Sequence, residues 1–171
     1  MINRLLKSVL TGFGLLVASF SIEANAQSSP RTVTLVVPFA AGGGTDTVAR
    51  LIGERMSSTL GQTVIIENVA GGGSTLANDR VARSAPDGST ILINHVALLA
   101  APSLFTNLRY DTASAFEPVG LVNNAPMVLI GRKSLPGATP REFVSWIKAQ
   151  GDKANFAHGG IGTNSHLCAV M

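Results

Sequence analysis

Three times in this chain an apolar run gives way to a cluster of glycines and then to a helix start, and that plan narrows the folds open to it. The first copy is Val33-Thr-Leu-Val-Val-Pro-Phe-Ala-Ala-Gly-Gly-Gly-Thr-Asp46, running into Thr47-Val-Ala-Arg50. The second is Val64-Ile-Ile-Glu-Asn68 followed by Gly71-Gly-Gly-Ser74, and the third is Ala154-Asn-Phe-Ala157 followed by Gly159-Gly-Ile-Gly-Thr-Asn-Ser165. Glycine permits close backbone approach, so each cluster can aim the unpaired N–H groups of the following helix at one point. Such a point favours an anion by roughly 0.3–1 kcal/mol at an exposed helix terminus. Several of them converging on one cleft would make a receptor for carboxylates. The plainer alternative is that the glycines only turn the chain tightly between strand and helix.

Thr32 to Val37 reads as a buried strand, rich in β-branched residues and closed by Pro38. Val48, Ile52, Met56 and Leu60 then recur at helical spacing up to Gly61. Asp46 falls at an N-cap or first-turn position, where it can satisfy backbone donors, and Arg50 lies four residues on, in reach for a pair. Val64 to Glu67 reads as a second strand, and Ser74 can cap a short helix carrying Ala77, Val81 and Ala85 on one face. Pro86-Asp-Gly88 makes a turn, and Thr90 to Asn94 a third strand ending at His95. This alternation predicts an α/β fold with a mainly parallel sheet and helices on its faces, in which ligands sit outside the carboxyl ends of the strands. Phe39, Ala40, the glycine clusters and His95 all fall at that edge.

Further along, Val119 to Val122 and Met127 to Ile130 read as strands around the turn-prone Asn123-Asn-Ala-Pro126, taken as the crossing into a second lobe. The domain expectation is therefore a first lobe over 27–122 and the start of a second over 123–171. Thr139-Pro-Arg-Glu142 carries a capping threonine, a proline at the first helical position and a glutamate placed to complete a capping box. Phe143, Trp146 and Ile147 are expected to dock that helix, and Ala154 to Ala157 to form the strand that follows it.

The first 26 residues read as an export signal: Arg4 and Lys7, an uncharged apolar stretch from Val9 to Phe20, then Ala24-Asn-Ala26. Cleavage after Ala26 would leave Gln27 first and send the product to the periplasm. Losing Arg4, Lys7 and Glu23 lowers the formal charge from +3 to +2, with the remaining charges scattered, which is no nucleic-acid footprint. One cysteine, Cys168, allows neither an internal disulfide nor a thiolate zinc site. His95, His158 and His166 lack metal-ligand spacing, so no metal is expected. The glycines around Gly42 lack the Walker lysine and the dinucleotide spacing, so no cofactor is expected either. Ser165 and His166 are adjacent and do not face each other on a helix, and no catalytic residue is assigned. An exported α/β enzyme and a non-functional remnant are the competing readings.

Taken in order, Val37-Pro-Phe-Ala-Ala-Gly-Gly-Gly-Thr-Asp46 with Ala49-Arg50, Leu60-Gly-Gln62, Glu67-Asn68, Gly71-Gly-Gly73, Ala85-Pro-Asp-Gly88 and Gly160-Ile-Gly-Thr-Asn-Ser-His-Leu167 resemble the Bug receptor family. These are the periplasmic solute-binding proteins of tripartite tricarboxylate transporters. The resemblance implies a type II periplasmic binding fold, two lobes that close on a small organic carboxylate, and partners that are transporter subunits in the membrane or a sensor. By the same resemblance Phe39, Ala40, Gly42, Gly43, Gly44, Thr45 and Asp46 match the first binding loop. Gly71, Gly72, Gly73 and Ser74 match the second, and Gly160, Gly162, Thr163, Asn164 and Ser165 the third; His95 joins them from its strand end. Asp46 is expected to cap its helix or bond a ligand amine or hydroxyl, since a second carboxylate beside it would be repelled. Val69-Ala70 stand where the family usually has Arg-Pro, Gly72 where it has alanine, Ala77 where it has glycine and Ser89 where it has tyrosine. Family members continue for roughly as long again, so the resemblance implies a truncated chain with both lobes incomplete and weak ligand binding of its own.

Overall fold

The computed structural model describes residues 31–137 and 139–171, and the proposed export signal lies outside them. The fold is built on β1 (Val33–Val37), whose Val33, Leu35, Val36 and Val37 are each no more than 6% exposed. A continuous apolar run of this kind suits a strand covered on both faces. β1 pairs in parallel with β2 (Val64–Asn68) on one side, Val33 opposite Val64 and Val37 opposite Asn68. On the other side it pairs in parallel with β3 (Thr90–Leu92), Thr34 opposite Thr90 and Val36 opposite Leu92.

Parallel neighbours need crossover connections. The helix α1 (Gly44–Leu60) supplies the first and α2 (Thr75–Ala82) the second. The resulting order, β2-β1-β3, means the chain leaves β1 in one direction and returns past it in the other. That reversal opens a crevice outside the carboxyl ends of β1 and β3.

The buried residues of α1 are Asp46, Ala49 and Gly53, while Val48, Ile52 and Met56 are only half-buried. Gly53 lies against the edge of β2: a Cβ there would come 2.8 Å from Cδ1 of Ile66, the tip of a side chain that would have to move aside. The next helix, α3 (Val96–Leu104), begins directly beyond His95 and buries Ala97 and Ala101. Two more follow, α4 (Pro140–Gln150) and α5 (Asn164–Val170).

Three expectations fail in this later part. Residues 119–122 and 127–130 form no strand, and Val119, Leu121, Val128, Leu129 and Ile130 are 71–88% exposed. Residues 154–157 likewise form no strand. A strand is defined by the ladder it enters, and among the described residues the sheet contains only β1, β2 and β3. The capping box of α4 is present as read, with Thr139 Oγ1 accepting from Glu142 N and Glu142 Oε2 accepting from Thr139 N, each at 3.3 Å. The docking of that helix is not: it has no buried residue, and Phe143 packs against Trp146 of its own surface.

Truncating the centre of the sheet should therefore be costly and truncating the exposed segment should not. Leu35→Ala is expected to lower unfolding free energy by about 2–5 kcal/mol. Leu129→Ala should leave it within about 0.5 kcal/mol. Urea denaturation of the two variants checks both.

Candidate functional site

The loop after β1 delivers the chain to α1 with Gly43 as N-cap. The N–H groups of Gly44, Thr45 and Asp46 precede the first bond of the helix, from Thr47 N to Gly43 O at 2.9 Å. Asp46 sits in the first turn rather than at the cap, and its side chain turns back beneath the loop. Its Oδ2 accepts from Gly42 N at 2.8 Å and from Arg50 Nε at 3.0 Å, and its Oδ1 accepts from Asn68 Nδ2 at 3.0 Å. The same Asn68 amide donates to Phe39 O at 3.1 Å. Asp46 is only 2% exposed. The hydrogen bond from Arg50 and the Gly42 N–H nevertheless hold its carboxyl at about 2, with Asn68 adding to them against the upward push of burial. Both oxygens are thus committed to the protein, and the carboxylate anchors the first glycine loop to the end of β2.

The second loop folds as a tight turn over Gly72–Ser74 in which Gly72, Gly73 and Ser74 all have positive φ, at 56°, 61° and 82°. Glycine suits such a turn, and at Gly73 space also requires it: a Cβ there would lie 2.7 Å from Ile161 O of the third loop and 2.8 Å from the Phe105 ring. Ser74 precedes α2 as expected but does not cap it. Its left-handed backbone turns Oγ inward, where it accepts from Asn78 Nδ2 at 3.2 Å, and the residue is 1% exposed.

His95 caps α3, its Nδ1 accepting from Ala97 N at 3.3 Å, which puts the proton of the neutral ring on Nε2. The ring stacks on Phe39, with centroids 4.5 Å apart and planes 8° from parallel. Burial pushes its pKa below the ordinary histidine value. Phe39 and His95 therefore meet across the crevice where the strand order reverses.

The third loop leads into α5 with Thr163 as N-cap, its Oγ1 accepting from His166 N at 3.4 Å. Several of its N–H groups are bonded within the loop. Gly159 N donates to Ser165 Oγ at 3.1 Å, Gly160 N to His158 Nδ1 at 3.1 Å, and Gly162 N to His166 Nδ1 at 3.4 Å. The His158 and His166 rings touch, 4.9 Å between centroids. A Cβ on Gly162 would lie 3.2 Å from Leu104 and 3.7 Å from Cα of Ala97, so this loop packs on α3 beside the His95 cap.

The residues singled out in the sequence thus form a connected set, Phe39 against His95, Gly162 against α3, and Gly73 against Ile161. Ala40 and Gly42 to Thr45 line the same β1 loop, and Gly71 and Gly72 the second turn. Asn164 and Ser165 start α5. Asp46 and Ser74 belong to the set as buttresses whose polar atoms face inward. Asn78 and Asn94, which no sequence motif marks, tie the second loop to His95, and Tyr110 accepts a hydrogen bond from Asn78. An amide just past a strand end, as at Asn94, was the signal available. An open groove of about 650 Å³ runs along α1 and β2, lined by Arg50, Gly53, Glu54, Ser57, Ser58, Val64 and Ile66, away from the glycine loops. Among the described residues no three His, Cys, Asp or Glu side chains gather closely enough to hold a metal ion. What the start of α1 offers is the main-chain N–H groups of Gly44, Thr45 and Asp46, which suit an oxyanion.

The chain is similar to known proteins in both sequence and fold. The family model described as the tripartite tricarboxylate transporter family receptor matches residues 48–171. The solved structure of MatC from Rhodopseudomonas palustris with bound malate is 47% identical and superposes with a TM-score of 0.75, covering 82% of this chain and 48% of that one. The structure of the periplasmic binding protein BugD is 43% identical with a TM-score of 0.68, covering 81% and 46%. A curated relative, the UPF0065 protein in the TAR-I ttuE-ttuC' intergenic region of Agrobacterium vitis, is 42% identical over 144 residues, 84% of this chain and 41% of its own length. The chain spans about half the length of the curated relatives it matches.

The Asp46 anchor has a pH signature. Folding lowers its pKa from 3.8 to about 2, so its contribution is fully present above pH 3.8 and is lost as the pH falls through about 2. Asp46→Asn removes that dependence. Denaturation at stepped pH should show a shallower loss of stability between pH 4 and 2 in the variant than in the parent.

Proposed function

The chain belongs to the tripartite tricarboxylate transporter family of receptors, and on that premise we propose that it is a periplasmic solute-binding receptor sequence whose glycine loops hold a small organic carboxylate. The family is one of receptors, not enzymes. The observation that carries the reading is the meeting of the β1 loop, the His95 turn and the third glycine loop at the strand-order reversal. One carboxylate group of the ligand takes the N–H groups at the start of α1, and Phe39 with His95 covers its carbon chain. The third loop, the opening of a second lobe over 123–171, approaches from the other side. There Gly160 and Gly162 exchange their imidazole acceptors for the ligand or a bridging water. Asp46 keeps the first loop in shape and does not touch the ligand carboxylate. The malate bound to MatC makes a C4 dicarboxylate the first compound to test. The receptor hands its ligand to membrane subunits of a tripartite transporter or to a sensor. Export uses residues 1–26 as a cleaved signal.

Two measurements test this reading. At Gly43 φ is −74°, and a Cβ would meet only Ala40 O, at 3.4 Å, so a side chain there is compatible with the fold and acts on whatever approaches the loop. In calorimetric titration with malate, Gly43→Val should abolish binding by the chain, and a variant of unchanged affinity would refute the loop assignment. N-terminal sequencing of the exported product should begin at Gln27, and retention of residues 1–26 on a membrane-bound product would refute the export reading.

A further inference from the structure

A buried amide outside the glycine clusters connects the second loop to the Phe39–His95 face. Asn78, on α2, is 0% exposed. Its amide hydrogens go to Ser74 Oγ at 3.2 Å and Tyr110 Oη at 2.9 Å, and its Oδ1 accepts from Asn94 Nδ2 at 2.8 Å. Asn94 in turn accepts the His95 N–H at 2.8 Å through its own Oδ1. Both hydrogens and the oxygen of Asn78 are therefore in use, as burial of an amide requires. Amide geometry is directional, so a fixed Asn78 fixes the plane of Asn94, and Asn94 fixes the main chain at the residue whose ring lies on Phe39.

We infer that Asn78 is a positioning residue, which acts through Asn94 to set His95 against Phe39 and holds that face at a constant distance from the second glycine loop. The inference rests on the reading of Phe39 and His95 as cleft residues only for its effect on ligand affinity; the placement of His95 stands apart from it. The relay also accounts for the left-handed Ser74, whose hydroxyl must face inward to meet the amide.

The competing role for Asn78 is simple volume filling, and leucine, of similar size, separates the two. A hydroxyl donates as well as accepts, so aspartate at 78 can accept from Ser74, Tyr110 and Asn94 together and preserve the connections. The experiment is histidine-selective NMR of the full 171-residue chain as parent, Asn78→Leu and Asn78→Asp. In the parent the His95 ring protons should lie upfield in the ring current of Phe39, and the ring should titrate below the ordinary histidine value because it is half-buried. Asn78→Leu should lose the upfield shift and move the titration toward the ordinary value, while Asn78→Asp retains the upfield shift, its carboxylate acting on the titration separately by favouring the imidazolium. If Asn78→Leu leaves the His95 signals unchanged, or if Asn78→Asp loses the upfield shift as fully as leucine does, the relay is wrong. Should Asn78→Leu fail to fold, Asn94→Leu cuts the next link and carries the same expectation. Malate titration of the same samples should show about tenfold weaker binding for Asn78→Leu, recovered by Asn78→Asp. A parent that binds no malate would count against the receptor reading, and the His95 signals would still decide the relay.

Discussion

The placement of the candidate site follows from β1 being paired in parallel on both sides. A strand so placed cannot be joined to its neighbours by hairpins, so helices must carry the chain back each time. All the strands then point their carboxyl ends the same way, and every loop that leaves them opens at one edge of the sheet. The order β2-β1-β3 adds the second half of the constraint, because loops that depart to opposite sides leave a gap between them. The candidate site is that gap. No residue had to be chosen for catalysis to put it there.

A gap bounded by glycine loops would be shapeless without something to stiffen it, and here the stiffening comes from short polar side chains beneath the loops. Asp46 and Asn68 hold the first loop, Asn78 and Ser74 the second, Asn94 the turn at His95, and Thr163 with Ser165 the third. Asparagine suits this work because one side chain both donates and accepts, and so can tie two backbone segments at once. Loops fixed before a ligand arrives lose less entropy on binding. The arrangement also explains why Asp46, a buried carboxylate within the candidate site, is tolerable: its charge is met by Arg50, by Gly42 and by Asn68.

The sequence was legible where one residue type has one physical use. The apolar run of β1, the capping box at Thr139 and the pairing of Asp46 with Arg50 each depend on neighbours within four or five positions, and each stands in the structure. The family was legible for a different reason, since several short motifs in fixed order are jointly improbable. What could not be read was long-range. Val119 to Ile130 has strand composition, but composition says nothing about whether a partner strand is present, and none is among the described residues. Ser74 looked like a cap because serine usually is one before a helix. Its actual partner, Asn78, lies on the same helix, and the left-handed backbone that turns Ser74 toward it leaves no mark in the sequence. Tyr110, 32 residues beyond Asn78, carries no local sign of its contact at all.

The turn over Gly72–Ser74 has one more consequence, a matter of chirality. Three consecutive residues there follow the mirror image of the path L-amino acids prefer, and Ser74 is the only non-glycine with positive φ among the described residues. For a stretch of this chain the backbone is written in the opposite hand, made cheap at two positions by the absence of a side chain and sustained at the third by a hydrogen bond. A D-residue would fit the backbone at Gly72 with less strain than its L counterpart. The usual ranking of conservative substitutions, drawn from right-handed surroundings, therefore does not apply across these positions.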